Sequence, residues 1–201
     1  LKQQLARAEE MKNVWVEARL ANDRLRRLTD LEKSFPDPVV FAEVIAKDPT
    51  SWFKTVVINK GRRHGLKKGM PALAPEGIVG QVMEVSGHYA KVLLIIDRNS
   101  AVDALVQRTR VRGILSGAPT AQCHLNYVLL KEAVEIGDTI VTSGMDGVFP
   151  KGLRVGRVQS LEARSTEMFH TIGVSPFVDF GKLEELLVVV KEPTDLSEDD
   201  G

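Results

Sequence analysis

Ser143 stands in the most suggestive setting for chemistry, the run Val141-Thr-Ser-Gly-Met-Asp-Gly147. A serine nucleophile needs a histidine within hydrogen-bond reach and a carboxylate that orients the histidine. Four histidines could serve, His64, His88, His124 and His170. The chain lacks both a Gly-Asp-Ser-Gly loop and the Gly-x-Ser-x-Gly elbow that strains a nucleophile into exposure. The plainer reading makes Thr142-Ser143-Gly144 the end of a strand and Asp146-Gly147 a turn. The histidines are isolated, without a His-x-x-x-His pair, and there is one cysteine, so no zinc-type ligand set is expected. Gly61-Arg-Arg-His-Gly65 and Gly144-Met-Asp-Gly147 lack the Gly-Lys-Ser/Thr of a phosphate loop. The Glu184-Glu185 pair is assigned to a solvated loop or helical turn. No catalytic or metal residue, no cofactor and no small-molecule substrate is expected.

Cys123 has no partner for an internal disulfide. A reactive thiol requires a basic neighbour or a helix N-terminus. His124 is adjacent, but neighbours along a strand point to opposite faces. Cys123 is therefore read as a buried strand residue. Nucleic-acid binding has more to offer. Lys60, Arg62, Arg63, His64, Lys67 and Lys68 form one basic cluster, and Arg108, Arg110 and Arg112 another. Stacking also needs aromatics on a sheet face. Only Phe41, Trp52 and Phe53 lie near, and aromatics make up 5% of the chain. Lys plus Arg total 27, as do Asp plus Glu, so no global charge draws the chain to a polyanion.

The elements that would position these residues change character at Phe35-Pro36-Asp37-Pro38. Residues 1–35 contain no glycine or proline and are rich in helix formers. An apolar stripe runs through Leu1, Leu5, Ala8, Met11, Val14, Ala18, Ala21, Leu25 and Leu28 at mostly alternating steps of three and four, the spacing of a coiled-coil seam. Two consecutive three-residue steps between Ala8 and Val14 resemble a stammer. Val14, Ala18, Ala21, Leu25 and Leu28 are the candidates for self-association. The arm would span about 50 Å at ~1.5 Å per residue. The chain begins with Leu1 inside this pattern, and is expected to be a fragment of a longer protein.

Beyond the prolines the period becomes that of strands. Asp48-Pro49-Thr50-Ser51 is a turn and Trp52 to Asn59 a strand closed by Lys60-Gly61. Short strands then recur every eight to twelve residues as far as Leu186–Val190, the pattern of a sandwich or of barrels. An internal echo favours two barrels. Gly77-Ile-Val-Gly-Gln-Val returns as Gly152-Leu-Arg-Val-Gly-Arg-Val, and its mid-strand glycines Gly80 and Gly156 suit barrel corners. The expected architecture is all-β: a coiled-coil helix over 1–35, a first six-stranded-type barrel over 36–117 and a second over 118–192. The last strand has the option of returning to the first barrel. Residues 193–201 are expected to form a disordered acidic tail.

Asp48-Pro-Thr-Ser-Trp-Phe with Ile58-Asn-Lys-Gly61, Gly65-Leu-Lys-Lys-Gly-Met-Pro, Gly77-Ile-Val-Gly-Gln-Val and Val92-Leu-Leu-Ile-Ile-Asp-Arg-Asn-Ser-Ala-Val-Asp-Ala follow one another along the chain. Together these runs resemble the bacterial rod shape-determining protein MreC family. Arg112-Gly-Ile-Leu-Ser-Gly, the run Gly137 to Gly152 and Val178-Asp-Phe continue the match in order. Asp48, Pro49, Trp52, Asn59, Gly61, Gly69 and Gly80 carry this signature as structural residues. The resemblance implies a non-enzymatic periplasmic scaffold of cell-wall elongation. It also implies an anchor in the inner membrane through a spanning helix that would precede this sequence. The implied partners are a second copy, the elongation-specific penicillin-binding transpeptidase and other membrane proteins of the elongation machinery, with no nucleic acid. A nucleic-acid-binding barrel is the alternative reading and a chymotrypsin-like hydrolase the second. Trp52 and Phe53 point to opposite sides of their strand. One should fill the first barrel and the other face the arm, a loop or a partner, and the residues leave open which.

Overall fold

A run of helix formers without glycine or proline gives one long helix, α1 (Lys2–Glu32). It stops where Ser34 and Phe35 turn back onto the Leu31 and Glu32 carbonyls, just ahead of Pro36 and Pro38. A computed structural model of the chain describes residues 2–48, 53–120, 122–162 and 168–191. The five strands that follow are β1 (Val39–Lys47), β2 (Thr55–Ile58), β3 (Pro71–Ala74), β4 (Gly77–Val85) and β5 (Ala90–Leu94). Next come β6 (Ala101–Val106), β7 (Arg112–Gly117), β8 (Cys123–Asn126) and β9 (Thr139–Thr142). The last are β10 (Arg154–Glu162), β11 (Thr171–Pro176) and β12 (Glu185–Val189). Pro49, Trp52 and the expected tail at 193–201 lie outside the described residues.

The strands close into two six-stranded barrels. The first runs β1-β12-β3-β4-β5-β2 and the second β7-β6-β9-β10-β11-β8. Closure removes every free sheet edge. The division expected at residue 117 is therefore corrected: β6 and β7 belong to the second barrel, and the crossing between barrels falls at 95–100. The turn chemistry of Gly117-Ala-Pro-Thr looks like a linker but makes the β7–β8 connection. The true crossing opens with buried Ile95 and Ile96, which read as more strand.

Laid side by side, the two strand orders match position for position. β7 to β11 take the places of β1 to β5, and β6 takes the place of β12. The second barrel is thus a circular permutant of the first, inserted between β5 and β12. The Gly80 and Gly156 echo falls on equivalent strands, β4 and β10. Each glycine sits at a register shift. A Cβ at Gly80 would collide with the Leu93 carbonyl oxygen, and one at Gly156 with that of Ser175. Leu93 on β5 and Ser175 on β11 are again equivalent, so both barrels bend a nine-residue strand by the same device.

Inward positions fill each barrel: Val56, Ile58, Val82, Val92, Leu186 and Val188 in the first, Leu115, Leu125, Ile140, Ile172 and Val174 in the second. Buried Asp97 pins the crossing between them. Its carboxylate accepts the Lys54 backbone N–H at 2.7 Å and both the backbone and side-chain N–H of Asn99 at 2.7 and 2.9 Å. Its carbonyl accepts the Gly117 N–H at 3.1 Å, and the Lys54 ammonium reaches the Ala118 carbonyl at 2.6 Å. These bonds tie β2, the crossing and β7 together, which fixes how the barrels meet.

Candidate functional site: the helical arm and its base

The arm divides into a docked base and a free shaft. At the base, Arg24 meets Glu184 at 2.9 Å and Glu185 at 3.0 Å, and Arg27 meets Glu76 at 3.2 Å. The hydrogen bond to Glu185 raises the Arg24 pKa further above its ordinary value. Between these ion pairs Leu28 is buried to 2% exposure, and Leu31 and Phe35 pack on the same core. Pro75, Phe177 and Leu183 complete the surroundings. Exposed ion pairs contribute little, about 0–1 kcal/mol each, whereas burying a leucine contributes about 1.5–3 kcal/mol. Leu28 therefore holds the base, and the arginines set its orientation.

This corrects one seam residue. Leu28 turns toward the chain's own barrels, with Arg24 and Leu31 at helical spacing beside it. It leaves the stripe of Val14, Ala18 and Leu25, which are exposed, and of Ala21, which is half-buried. Sequence reasoning missed Arg24 and Arg27. The signal for them was a second stripe, Arg24-Leu28-Leu31-Phe35, that diverges from the seam in the last turns. The shaft over residues 4–20 is exposed throughout. Met11 is 74%, Trp15 70% and Val14 66% exposed, and Val16, Leu20 and Leu25 lie open as well. Most helical stability in proteins comes from packing an apolar face, and this shaft presents its apolar side chains to solvent.

The signature residues hold turns. Asn59 clasps Glu43, accepting its backbone N–H at 2.9 Å and donating to its carboxylate at 3.2 Å. Asp48 donates its N–H to the Thr55 carbonyl at 3.1 Å, closing the β1–β2 loop. Gly61 donates to the His64 ring Nδ1 at 3.1 Å, and Gly69 donates to the Val82 carbonyl at 2.8 Å. Phe53 is about half exposed, and its companion Trp52 falls outside the described residues.

The residues singled out for chemistry are likewise spent on structure. The Ser143 hydroxyl accepts the Met145 N–H at 3.0 Å, and Thr142 bridges the Pro150 carbonyl and the Leu153 N–H. Asp146 accepts the Val148 and Phe149 N–H groups at 3.0 and 3.2 Å. Among the described residues no histidine bonds Ser143. No group of three or more His, Cys, Asp or Glu there could hold a metal. Arg108 is clamped by Asp138 at 2.8 and 2.9 Å and lies 3.2 Å from Glu135. Arg112 is held by Asp103 at 2.6 Å. The second basic cluster is thus largely neutralised by its own carboxylates. Asp138 in turn is held below the ordinary carboxylate range by the Arg108 hydrogen bonds.

Cys123 is buried and lies 3.5 Å from the Ile95 carbonyl. Burial pushes its thiol up to about 12. A thiol raised this way favours the folded state below the unfolded pKa, and that contribution fades as pH rises through the folded one. We expect Cys123 to resist a thiol reagent at pH 8 in the native protein and to react fully in denaturant. Native-state labelling followed by mass spectrometry checks this, and prompt native labelling would contradict the burial.

The fold defines a two-barrel protein that projects a helical arm from the base where its barrels meet. The chain belongs to the MreC family: the family model described as "Rod shape-determining protein MreC, barrel core" matches residues 44–190. It is 33% identical over 165 residues to the cell shape-determining protein MreC of Caulobacter vibrioides, covering 82% of this chain and 48% of that one. The chain spans about half the length of the curated relatives it matches. A solved MreC structure superposes with a TM-score of 0.81 at 30% identity, covering 86% of this chain and 98% of the other. The fold recurs at 18% identity and a TM-score of 0.61 in a solved complex between penicillin-binding protein PBP2 and MreC from Helicobacter pylori, covering 77% of this chain and 100% of that one. Among the described residues no helix is long and apolar enough to cross a membrane.

Proposed function

We propose that this chain is a non-enzymatic scaffold of cell-wall elongation, self-associating through its arm and binding the elongation transpeptidase. The observation that carries the reading is the shaft: Met11, Val14, Trp15 and Leu25 stand open on a helix whose base alone is docked. A second copy is the partner that would cover them, because two such stripes bury each other in a coiled coil. Partner binding is supported by the Helicobacter pylori protein, which was solved together with PBP2. A periplasmic setting is supported by a relative solved as the major periplasmic domain of the cell shape-determining filament MreC. Anchoring to the inner membrane by a preceding helix and contacts with other elongation proteins complete the proposal.

Val14→Asp combined with Leu25→Asp is expected to reduce the sedimentation mass to that of a monomer. Both positions face solvent in the single chain, so the melting temperature of the barrels should hold. A mass unchanged by the double substitution would remove the arm from self-association. Any effect on the transpeptidase must come from binding one of its conformations better than another. Titrating the chain into that enzyme should shift its rate or conformation. No response at saturation would limit this region to tethering.

A further inference from the structure

Two depressions meet where the arm's end and the two barrels converge. One, of about 460 Å³, has an apolar floor that includes Phe35, Pro36, Leu73 and Leu153. The other, of about 440 Å³, follows the 143–151 loop past Val148 and Phe149. They share Pro150, Lys151 and Lys191 and so form one continuous track. Arg154 lines the first part and Arg110 the second.

The charge on this track is one-sided. Arg24, Arg27, Lys91, Arg108 and Arg112 are each paired with a carboxylate. Lys151, Arg154, Lys191 and Arg110 are exposed, and none has an ion-pair partner among the described residues. Asp37 is the one carboxylate in the lining. The Arg154 guanidinium rests 4.2 Å over the Phe177 ring, which holds it in place ahead of any ligand.

We propose that this track docks an extended acidic segment of a partner protein. Its apolar side chains would lie on the floor and its carboxylates against Lys151, Arg154 and Lys191. The two depressions adjoin through Pro150, Lys151 and Lys191 and share no other lining residue, which suits a chain that runs through both better than a compact ligand. A single-stranded nucleic acid would need open aromatic faces, and here Phe149 is buried and Phe35 half-buried. The chain's own residues 192–201 are the competing occupant. They are acidic but, apart from Pro193, offer the floor only Leu196.

The test uses a fluorescein-labelled peptide of alternating Leu and Glu, followed by anisotropy with the full chain. Saturable binding is expected, weakening as salt rises. Lys151→Glu with Lys191→Glu should weaken it about tenfold or more, since like charges facing one another cost several kcal/mol. That pair leaves the Arg154 contact with Phe177 intact, and Arg154→Glu is the second variant. Lys131→Glu, on an exposed loop elsewhere, should change nothing. The proposal is overturned if the peptide does not bind saturably, if an alternating Leu and Gln peptide binds as well, or if the charge reversals have no effect. It is equally overturned if binding appears only after residues 192–201 are deleted, which would make the chain's own segment the occupant.

Discussion

Ending the chain before Glu185 is expected to open the first barrel, although the deleted residues are the last described strand. β12 lies between β1 and β3 and pairs with both. Removing it strips two strands of their ladders and exposes two edges at once. It also removes Leu186, Leu187, Val188 and Val189, all fully buried. At about 1.5–3 kcal/mol for each large apolar side chain, the loss is comparable to the whole stability of a domain, ~5–15 kcal/mol. Glu185, which orients Arg24 at the arm's base, goes with them. The second barrel should behave differently, because its six strands are contiguous over 101–176. That fragment is expected to melt cooperatively by circular dichroism, at a lower temperature than in the full chain because the contacts of the Asp97 crossing are gone. Residues 36–100 alone should show no cooperative transition. A truncated chain that kept the full two-barrel melting profile would refute this division of labour.

The same permutation explains what the sequence could and could not tell. Strand positions were legible because turn chemistry brackets them: β12 (Glu185–Val189) falls within one residue of the last strand expected at Leu186–Val190. Which barrel a strand joins was not legible. Alternation demands that one face be buried and is silent about the sheet that buries it. β12 is apolar on both sides of its strand and reads equally well in either barrel. Buried Cys123 was legible from strand alternation alone. The turn-holding roles of Ser143, Thr142 and Asp146 were half legible, since Thr-Ser-Gly and Asp-Gly mark turns, but the bonds from Thr142 to Pro150 and Leu153 span a loop that no local pattern encodes. The charge track was not legible at all. Lys151, Arg154 and Lys191 come from two distant stretches that only the closed barrels bring together.

The helix poses the sharpest version of this problem, because two apolar stripes share its last turns. Leu25 and Leu28 are three residues apart and follow one seam in the sequence, yet Leu25 is half exposed and Leu28 is buried. A periodic stripe reports that something must cover it, without reporting whether the cover is another copy or the same chain. Leu28→Asp is therefore expected to act on the arm's docking and only secondarily on self-association. Truncating a buried leucine costs about 2–5 kcal/mol. The new carboxylate adds a desolvation cost, and it would join Glu76, Glu184 and Glu185, already gathered at the base. The ion pairs of Arg24 and Arg27 are too exposed to offset this. The arm should swing free while both barrels stay folded. Spin labels at Lys12→Cys and Lys91→Cys would read the release as a broadened distance distribution, with Cys123 too buried to take label. Arg24→Ala should broaden it less, and Leu25→Asp should leave it narrow while lowering the sedimentation mass. If Leu28→Asp kept the narrow distribution, the base would not be what holds the arm, and the orientation of the shaft would have to be set by its partner.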